Sequence, residues 1–157
     1  MSLLGRLTRG SDDLDTPAEA LIPLIPYLPK QVWEPCPGRG ALTYALEKNN
    51  VNVIETFTDF METDGPASMC EAIVTNPPFS KKAKFISRCM ELGKPWALLL
   101  PVTTLGVRAC QKNLINCQFL FLPRRIDFTG KRAPWFAVMW VCYGLGLPRD
   151  VNFMGLA

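Results

Sequence analysis

The sequence predicts an α/β fold, a single minimal domain built on a mostly parallel sheet. Short apolar segments alternate with helical segments along the chain, an order that favours βαβ units. Residues 96–100 are apolar throughout, which is typical of a strand covered on both faces. The 157 residues suit one domain. We place it at 14–146, between a flexible N-terminal segment, 1–13, and a C-terminal tail, 147–157.

The first helix is predicted from local capping signals. Thr16 is the expected N-cap, Pro17 the first helical residue and Glu19 the second half of a capping box. Pro23 and Pro26 end this helix early, because proline interrupts the backbone hydrogen bonds of a helix.

The remaining elements follow from apolar periodicity. The helix at 41–48 places Leu42, Ala45 and Leu46 on one face, and further helices are predicted near 82–92 and 104–113. Strands are predicted at 31–34, 51–55, 72–75, 96–100, 119–122 and 136–143.

The composition excludes several classes of function. The chain has no histidine, so Ser-His and Cys-His nucleophilic arrangements are excluded. Its six cysteines form no CxxC pair, so we expect no metal site and mostly buried, reduced thiols. Apolar runs are too short to span a bilayer and no signal peptide is evident, so we expect a cytoplasmic protein without membrane contact.

Positive charge is concentrated in the second half of the chain. Residues 81–132 hold eleven basic and two acidic residues, a net charge of +9, whereas the other residues hold six basic and twelve acidic, a net charge of −6. This asymmetry indicates contact with a polyanion, although solvated helix faces give the same pattern. The expected nucleic-acid contacts are Lys81, Lys82, Lys84, Arg124, Arg125, Lys131 and Arg132.

The segment Asn76-Pro77-Pro78-Phe79 follows a short apolar strand and suits methyl transfer to a planar amine. The Asn76 side-chain oxygen and the Pro77 carbonyl can accept hydrogen bonds from an exocyclic amine and aim its lone pair at an electrophile. Two prolines stiffen the turn and add no competing N–H donor. Phe79 offers a ring on which a flipped base can stack. A simple turn at the end of a strand is the other interpretation.

The loop Glu34-Pro35-Cys36-Pro37-Gly38-Arg39-Gly40 lies between the first strand and its helix, where open α/β sheets bind ligands. Gly38 and Gly40 permit close approach of a ligand to the backbone. The acid at the strand end suits an ammonium group better than a pyrophosphate. One strand later, Glu55 can accept hydrogen bonds from a ribose diol, unless it is only a solvated strand end.

These segments, in order with Asp15-Thr16-Pro17 and Asp59-Phe60, resemble the S-adenosylmethionine-dependent adenine-N6 DNA methyltransferases, most closely the small phage and prophage type. The likeness spans about residues 14–143 and implies a Rossmann-like class I methyltransferase sheet. It implies that Asn76, Pro77, Pro78 and Phe79 are catalytic. The cofactor-binding residues that it implies are Thr16 and Pro17 at the methionine end, Glu34, Cys36, Gly38 and Gly40 in the loop, Glu55 at the ribose, Asp59 and Phe60 at the adenine, and Asn76.

Two departures from the family stand out. Between Glu55 and Ala72 there is little room for the full helix and strand normally found there, and no segment is long enough for a separate target-recognition domain. The expected partner is a nucleic acid, DNA more than RNA, contacted partly through the basic, aromatic segment 124–136. RNA adenine-N6 or protein glutamine-N5 methylation, and a methyltransferase-like binding module without catalysis, are the alternatives.

Overall fold

The structure, a computed structural model, describes residues 15–128 and 136–154. Within them one seven-stranded sheet has the order β2-β1-β3-β4-β6-β5-β7. The strands are β1 Gln31–Glu34, β2 Asn52–Glu55, β3 Ala72–Thr75, β4 Trp96–Pro101, β5 Gln118–Phe121, β6 Val138–Tyr143 and β7 Val151–Phe153. The helices are α1 Ala18–Leu21, α2 Ala41–Lys48, α3 Lys82–Leu92 and α4 Arg108–Leu114.

The strand directions confirm the predicted fold class. β1, β2, β3 and β4 pair in parallel, β6 runs antiparallel to both β4 and β5, and β7 is parallel to β5. Strand β6 therefore runs against the other six. This mostly parallel sheet, with helices on both faces, is a Rossmann-like α/β arrangement, and the described residues form it as one domain.

Strand residues alternate strictly between two hydrophobic cores. Val32, Val74 and Leu99 pack on the face that α1 and α2 cover. Their neighbours Trp33 and Leu98 pack on the opposite face, against α3 and α4. Side chains on a strand point alternately to opposite faces, so a sheet buried on both sides needs continuous apolar runs. The apolar strand predicted at 96–100 has this property, since all of β4 is buried.

The predicted capping box of α1 does not form. The N-cap is Pro17, and no side chain caps the helix. Thr16 instead accepts a hydrogen bond from the side chain of Asn76, and Glu19 forms an ion pair with Arg124. Both partners lie far away in the sequence. The Thr16 and Glu19 side chains, which a capping box would use, therefore make tertiary contacts instead.

Two further elements differ from the sequence prediction. The helix expected at 104–113 is divided into a 3₁₀ turn, Val102–Gly106, and α4, because Val107 between them has an extended backbone. Residues 151–153, placed in a C-terminal tail from the sequence, form β7 instead. This strand pairs with β5, and the ring of Phe153 stacks on Phe121 with 5.2 Å between centroids. A three-residue strand has too weak a local pattern to be recognised, so its partner defines it.

Two buried tryptophans make it possible to measure how much the hydrogen bond between α1 and the sheet contributes to stability. Trp140 Nε1 donates a 2.7 Å hydrogen bond to the carbonyl of Ala20 in α1. Trp96 Nε1 is equally buried and has no hydrogen-bond partner among the described residues. We expect Trp140→Phe to lower the free energy of unfolding by about 1–3 kcal/mol more than Trp96→Phe does, because only the first leaves a buried carbonyl unpaired. Urea unfolding of both variants measures the difference, and equal losses would contradict the prediction.

Candidate functional site

The sheet topology opens a crevice at the carboxyl ends of β1 and β3. From β1 the chain passes through α2 to β2 on one side, then crosses back to β3 on the other side of β1. Open α/β sheets bind ligands where the strand order reverses in this way. The glycine loop, residues 34–40, follows β1, and the Asn-Pro-Pro-Phe turn, residues 76–79, follows β3. The two predicted motifs therefore lie on either side of one crevice.

The glycine loop is shaped by its first residue and by two left-handed glycines. Glu34 is almost fully buried, and its Oε1 accepts a 2.8 Å hydrogen bond from the backbone N–H of Cys36. Gly38 and Gly40 have φ values of 54° and 89°, which favour glycine strongly. The N–H of Gly40 donates to the carbonyl of Pro37 at 2.7 Å and closes the turn directly before α2. The backbone is thus folded into a tight loop with a buried carboxylate at its start.

Asn76 and Thr16 meet across the site. Asn76 Nδ2 donates a 3.0 Å hydrogen bond to Thr16 Oγ1, and Thr16 is buried. The bond links the first residues after β3 to the segment that leads into α1. In this bond the amide nitrogen of Asn76 is the donor. The amide oxygen is the atom that can accept a hydrogen bond from an amine. The structure therefore brings together a predicted methionine-end residue and the predicted amine acceptor.

The Asn-Pro-Pro-Phe turn continues directly into α3. Pro77 is buried, and the Pro78 carbonyl accepts a 3.0 Å hydrogen bond from the N–H of Lys81. The side chain of Lys82 donates to the Phe79 carbonyl at 3.1 Å. The half-buried ring of Phe79 packs edge-on against Phe136, with 5.9 Å between ring centroids. Lys82, expected to contact nucleic acid, therefore also stabilises this turn.

A cavity of about 320 Å³ lies between the loops that follow β1, β2 and β3. It brings together four residues predicted as catalytic or cofactor-binding, namely Cys36, Asp59, Phe60 and Pro78. Its volume is at the lower end of the range for small-ligand sites. The lining comprises Pro35, Cys36, Phe57, Thr58, Asp59, Phe60, Met61, Pro78, Lys81, Lys84 and Phe85. Lys81 and Lys84, predicted as nucleic-acid contacts, thus line the cavity in which the cofactor residues meet.

Phe60 and Glu55 occupy different environments at the end of β2. Phe60 is 3% exposed and packs between Trp33, at 5.2 Å, and Phe85, at 4.9 Å between ring centroids. Its ring is mainly a core side chain that also lines the cavity. Glu55 is half-buried and is the Cα partner of Glu34 in the parallel register of β1 and β2. Two carboxylate residues therefore end neighbouring strands beside the crevice.

The basic residues near position 130 lie only partly within the described structure. Arg124 is held by Glu19, and Arg125 is exposed. Lys131 and Arg132 lie outside the described residues. The predicted phosphate contacts of this segment therefore stay predictions, with Arg124 already engaged in an ion pair.

Sequence reasoning missed several residues that shape the cavity. Phe57, Thr58 and Met61 line it, and their position just past the carboxyl end of β2 is the signal that could have identified them. Arg88, one of the eleven basic residues of 81–132, donates hydrogen bonds to the carbonyls of Phe60 and Thr63. No local pattern in the sequence indicates that contact.

Five of the six cysteines are buried thiols, as predicted, and Cys36 is only partly buried, at the cavity. Burial raises the pKa of Cys117 and of Cys142 to about 12, and raises the pKa of Cys89 still further. Burial also raises the pKa of Cys70 and Cys110. A raised pKa keeps these thiols protonated and unreactive at neutral pH.

Within 15–128 and 136–154, no three side chains of the metal-binding types are grouped closely enough to hold a metal ion. Over the same ranges, no helix has the length and apolar content needed to cross a membrane.

No protein-family model and no curated protein matches the chain. Among solved structures, it is similar to the crystal structure of a predicted O-methyltransferase from Agrobacterium tumefaciens. The similarity has a TM-score of 0.43 and 10% sequence identity, and covers 88% of this chain and 85% of the other.

The thiols provide a test of the cavity lining. We expect iodoacetamide at neutral pH to label Cys36 of the native protein before the other five cysteines, because the others are buried and protonated. Peptide mass spectrometry over a time course identifies the order of labelling, and denatured protein serves as the control in which all six react. Labelling of Cys89 or Cys142 ahead of Cys36 would contradict the described packing.

Proposed function

We propose that this protein is an S-adenosylmethionine-dependent methyltransferase that acts on the N6 amine of adenine in DNA. One observation carries the proposal: the fold places the glycine loop and the Asn-Pro-Pro-Phe turn across one crevice, with Asn76 hydrogen-bonded to Thr16. Neither motif is specific alone. Their convergence at the strand-order reversal of a methyltransferase-like sheet makes a ligand site of the expected chemistry.

The residues at the crevice fit the proposed cofactor. Buried Glu34 and half-buried Glu55 end adjacent strands, where carboxylates suit the cofactor's ammonium and ribose hydroxyl groups. The left-handed glycines let the cofactor approach the loop backbone. Phe57, Asp59 and Phe60 line a cavity that offers aromatic walls for the cofactor's adenine ring and an acceptor for its amino group. These residues would hold the cofactor, with Thr16 and Pro17 at its methionine end.

When bound, the cofactor supplies an electrophilic methyl group carried on a positively charged sulfur. Asn76 Oδ1 and the Pro77 carbonyl accept hydrogen bonds from the two N–H groups of the target amine. This draws the nitrogen toward tetrahedral geometry and directs its lone pair at the methyl carbon. Phe79 stacks on the flipped base and holds its plane. Methylation makes the nitrogen cationic and its proton acidic, so a chain without histidine needs no strong general base.

Charge supports a nucleic acid over a protein substrate. Lys81 and Lys84 lie at the cavity just after the Asn-Pro-Pro-Phe turn. An adjoining open groove of about 460 Å³ between α3 and α4 shares Lys84 and Met61 with the cavity, and Lys112 lines its far side. A phosphate backbone suits such a surface, whereas the amide of a protein glutamine has no need of it.

Asn76→Ala is the direct test of the acceptor site. We expect this variant to lose methyl transfer while it still binds S-adenosylmethionine, because the amine is no longer polarised. Incubation of both proteins with labelled cofactor and DNA, RNA or lysate protein shows which molecule takes the label, and calorimetry measures cofactor binding. Asn116→Ala, an exposed asparagine just before β5 at the opposite edge of the sheet, is the matched control.

Transfer by Asn76→Ala at the normal rate would refute the assigned site. Label on RNA or on protein glutamine would replace the DNA assignment. Wild-type protein that binds no cofactor would indicate a non-catalytic binding module instead.

The double variant Lys81→Glu/Lys84→Glu tests nucleic-acid contact. We expect weaker DNA binding and a plot of log affinity against log salt concentration that is shallower by about two units, one for each lost phosphate contact. Fluorescence anisotropy with a labelled duplex across a salt series measures both quantities. Lys30→Glu, at the amino end of β1, makes a single charge reversal far from the crevice and should bind nearly as the wild type does. An unchanged slope in the double variant would exclude these lysines from the interface.

A further inference from the structure

The wall of the cavity after β2 has little secondary structure of its own. Residues 56–71 join β2 to β3, and within them the structure places one 3₁₀ turn, Gly65–Ser68. Residues 57–61 of this connection line the cavity. A connection with so little regular secondary structure needs contacts from neighbouring elements to keep a defined shape.

Helix α3 provides two anchors one turn apart. The ring of Phe85 stacks on Phe60 with an interplanar angle of 24°. Arg88 Nε donates to the Phe60 carbonyl at 3.2 Å, and Arg88 Nη2 donates to the Thr63 carbonyl at 3.1 Å. The Arg88 side chain is only 17% exposed. The planar guanidinium thus binds two backbone carbonyls at once, which a lysine ammonium on its flexible stem cannot reproduce.

The anchored stretch contains the turn that shapes the cavity wall. Asp59 Oδ1 accepts a 2.9 Å hydrogen bond from the N–H of Met61, and the Asp59 carbonyl accepts one at 3.0 Å from the N–H of Glu62. Arg88 binds the carbonyls of Phe60 and Thr63, the residues directly before and after Met61 and Glu62. Without Arg88, the Phe60 and Thr63 carbonyls that flank this turn lose the guanidinium that binds them both.

We propose that Arg88 is a positioning residue for the cavity wall, and that it sets affinity for the nucleoside part of the cofactor rather than for phosphate. The identity of that ligand rests on the proposed function. Use of Arg88 as a phosphate contact would require it to leave two carbonyls that it satisfies in a largely buried position. The cost of unpairing them opposes that role. Lys81 and Lys84, which line the cavity itself, carry the nucleic-acid contact.

Arg88→Ala and Arg88→Lys test this assignment together. For both we expect the KM for S-adenosylmethionine to rise roughly tenfold or more, while kcat at saturating cofactor and the DNA affinity stay close to wild type. Steady-state kinetics separates KM from kcat, and anisotropy measures DNA binding. A phosphate contact gives the opposite pattern: DNA affinity falls in Arg88→Ala and recovers in Arg88→Lys, while the KM for the cofactor is unchanged. That pattern would overturn the proposal.

Hydrogen exchange gives a readout that does not depend on activity. We expect the amides of Met61 and Glu62 to exchange faster in both Arg88 variants than in the wild type. The exchange rates of α3 and of the strands should be the same in all three proteins. Arg108→Ala removes an exposed arginine from α4, and Glu91→Gln removes the exposed ion-pair partner of Arg88. Both controls should exchange as the wild type does.

The two proposals fail in different ways. If the wild-type protein binds no S-adenosylmethionine, the proposed function is wrong, and the exchange of Met61 and Glu62 still decides the role of Arg88. If those amides exchange at the same rate in all proteins, Arg88 does not position the loop. Global loss of protection in Arg88→Ala leaves the test to Arg88→Lys, where an unchanged loop and an unchanged KM would overturn the inference.

Discussion

The site depends on the position of β1 between β2 and β3. Because the chain builds the sheet first to one side of β1 and then to the other, the loops after β1 and β3 leave the same edge in different directions. The parallel register places Glu34 beside Glu55 and sets Trp33 opposite Ile73, so neighbouring strands end close together. A glycine loop and a proline turn that are distant in sequence therefore share one crevice.

Long-range polar contacts decide how the segment before α1 reaches this crevice. The indole of Trp140 holds the carbonyl of Ala20, which fixes the short helix α1 on the sheet. Thr16 then lies within hydrogen-bond distance of Asn76. Isolated helices of one turn are unstable in water, so α1 owes its place to these contacts and to its buried Leu21. The N-terminal part of the domain is thereby coupled to the turn that would hold the acceptor amine.

Helix α3 joins the two halves of the site. Lys81, directly before the helix, and Lys84 in its first turn lie at the cavity, while Phe85 and Arg88 hold the loop after β2. Contacts with a neighbouring helix thus hold the short connection between β2 and β3 in a defined shape. This division also separates two kinds of basic residue on one helix face: exposed lysines suited to a polyanion and a largely buried arginine that binds backbone.

The sequence by itself determined the elements whose signals are local. Continuous apolar runs identified the inner strands, proline and glycine spacing located both loops, and periodicity placed α2 and α3. Only the tertiary structure decided which side chains meet: Thr16 with Asn76, Arg124 with Glu19, and Arg88 with the loop after β2. It also made a strand of residues 151–153, which the sequence left in a tail. Local propensity covers a few neighbouring residues, whereas these contacts join positions separated by 25 to 105 residues, where packing and desolvation outweigh local preference.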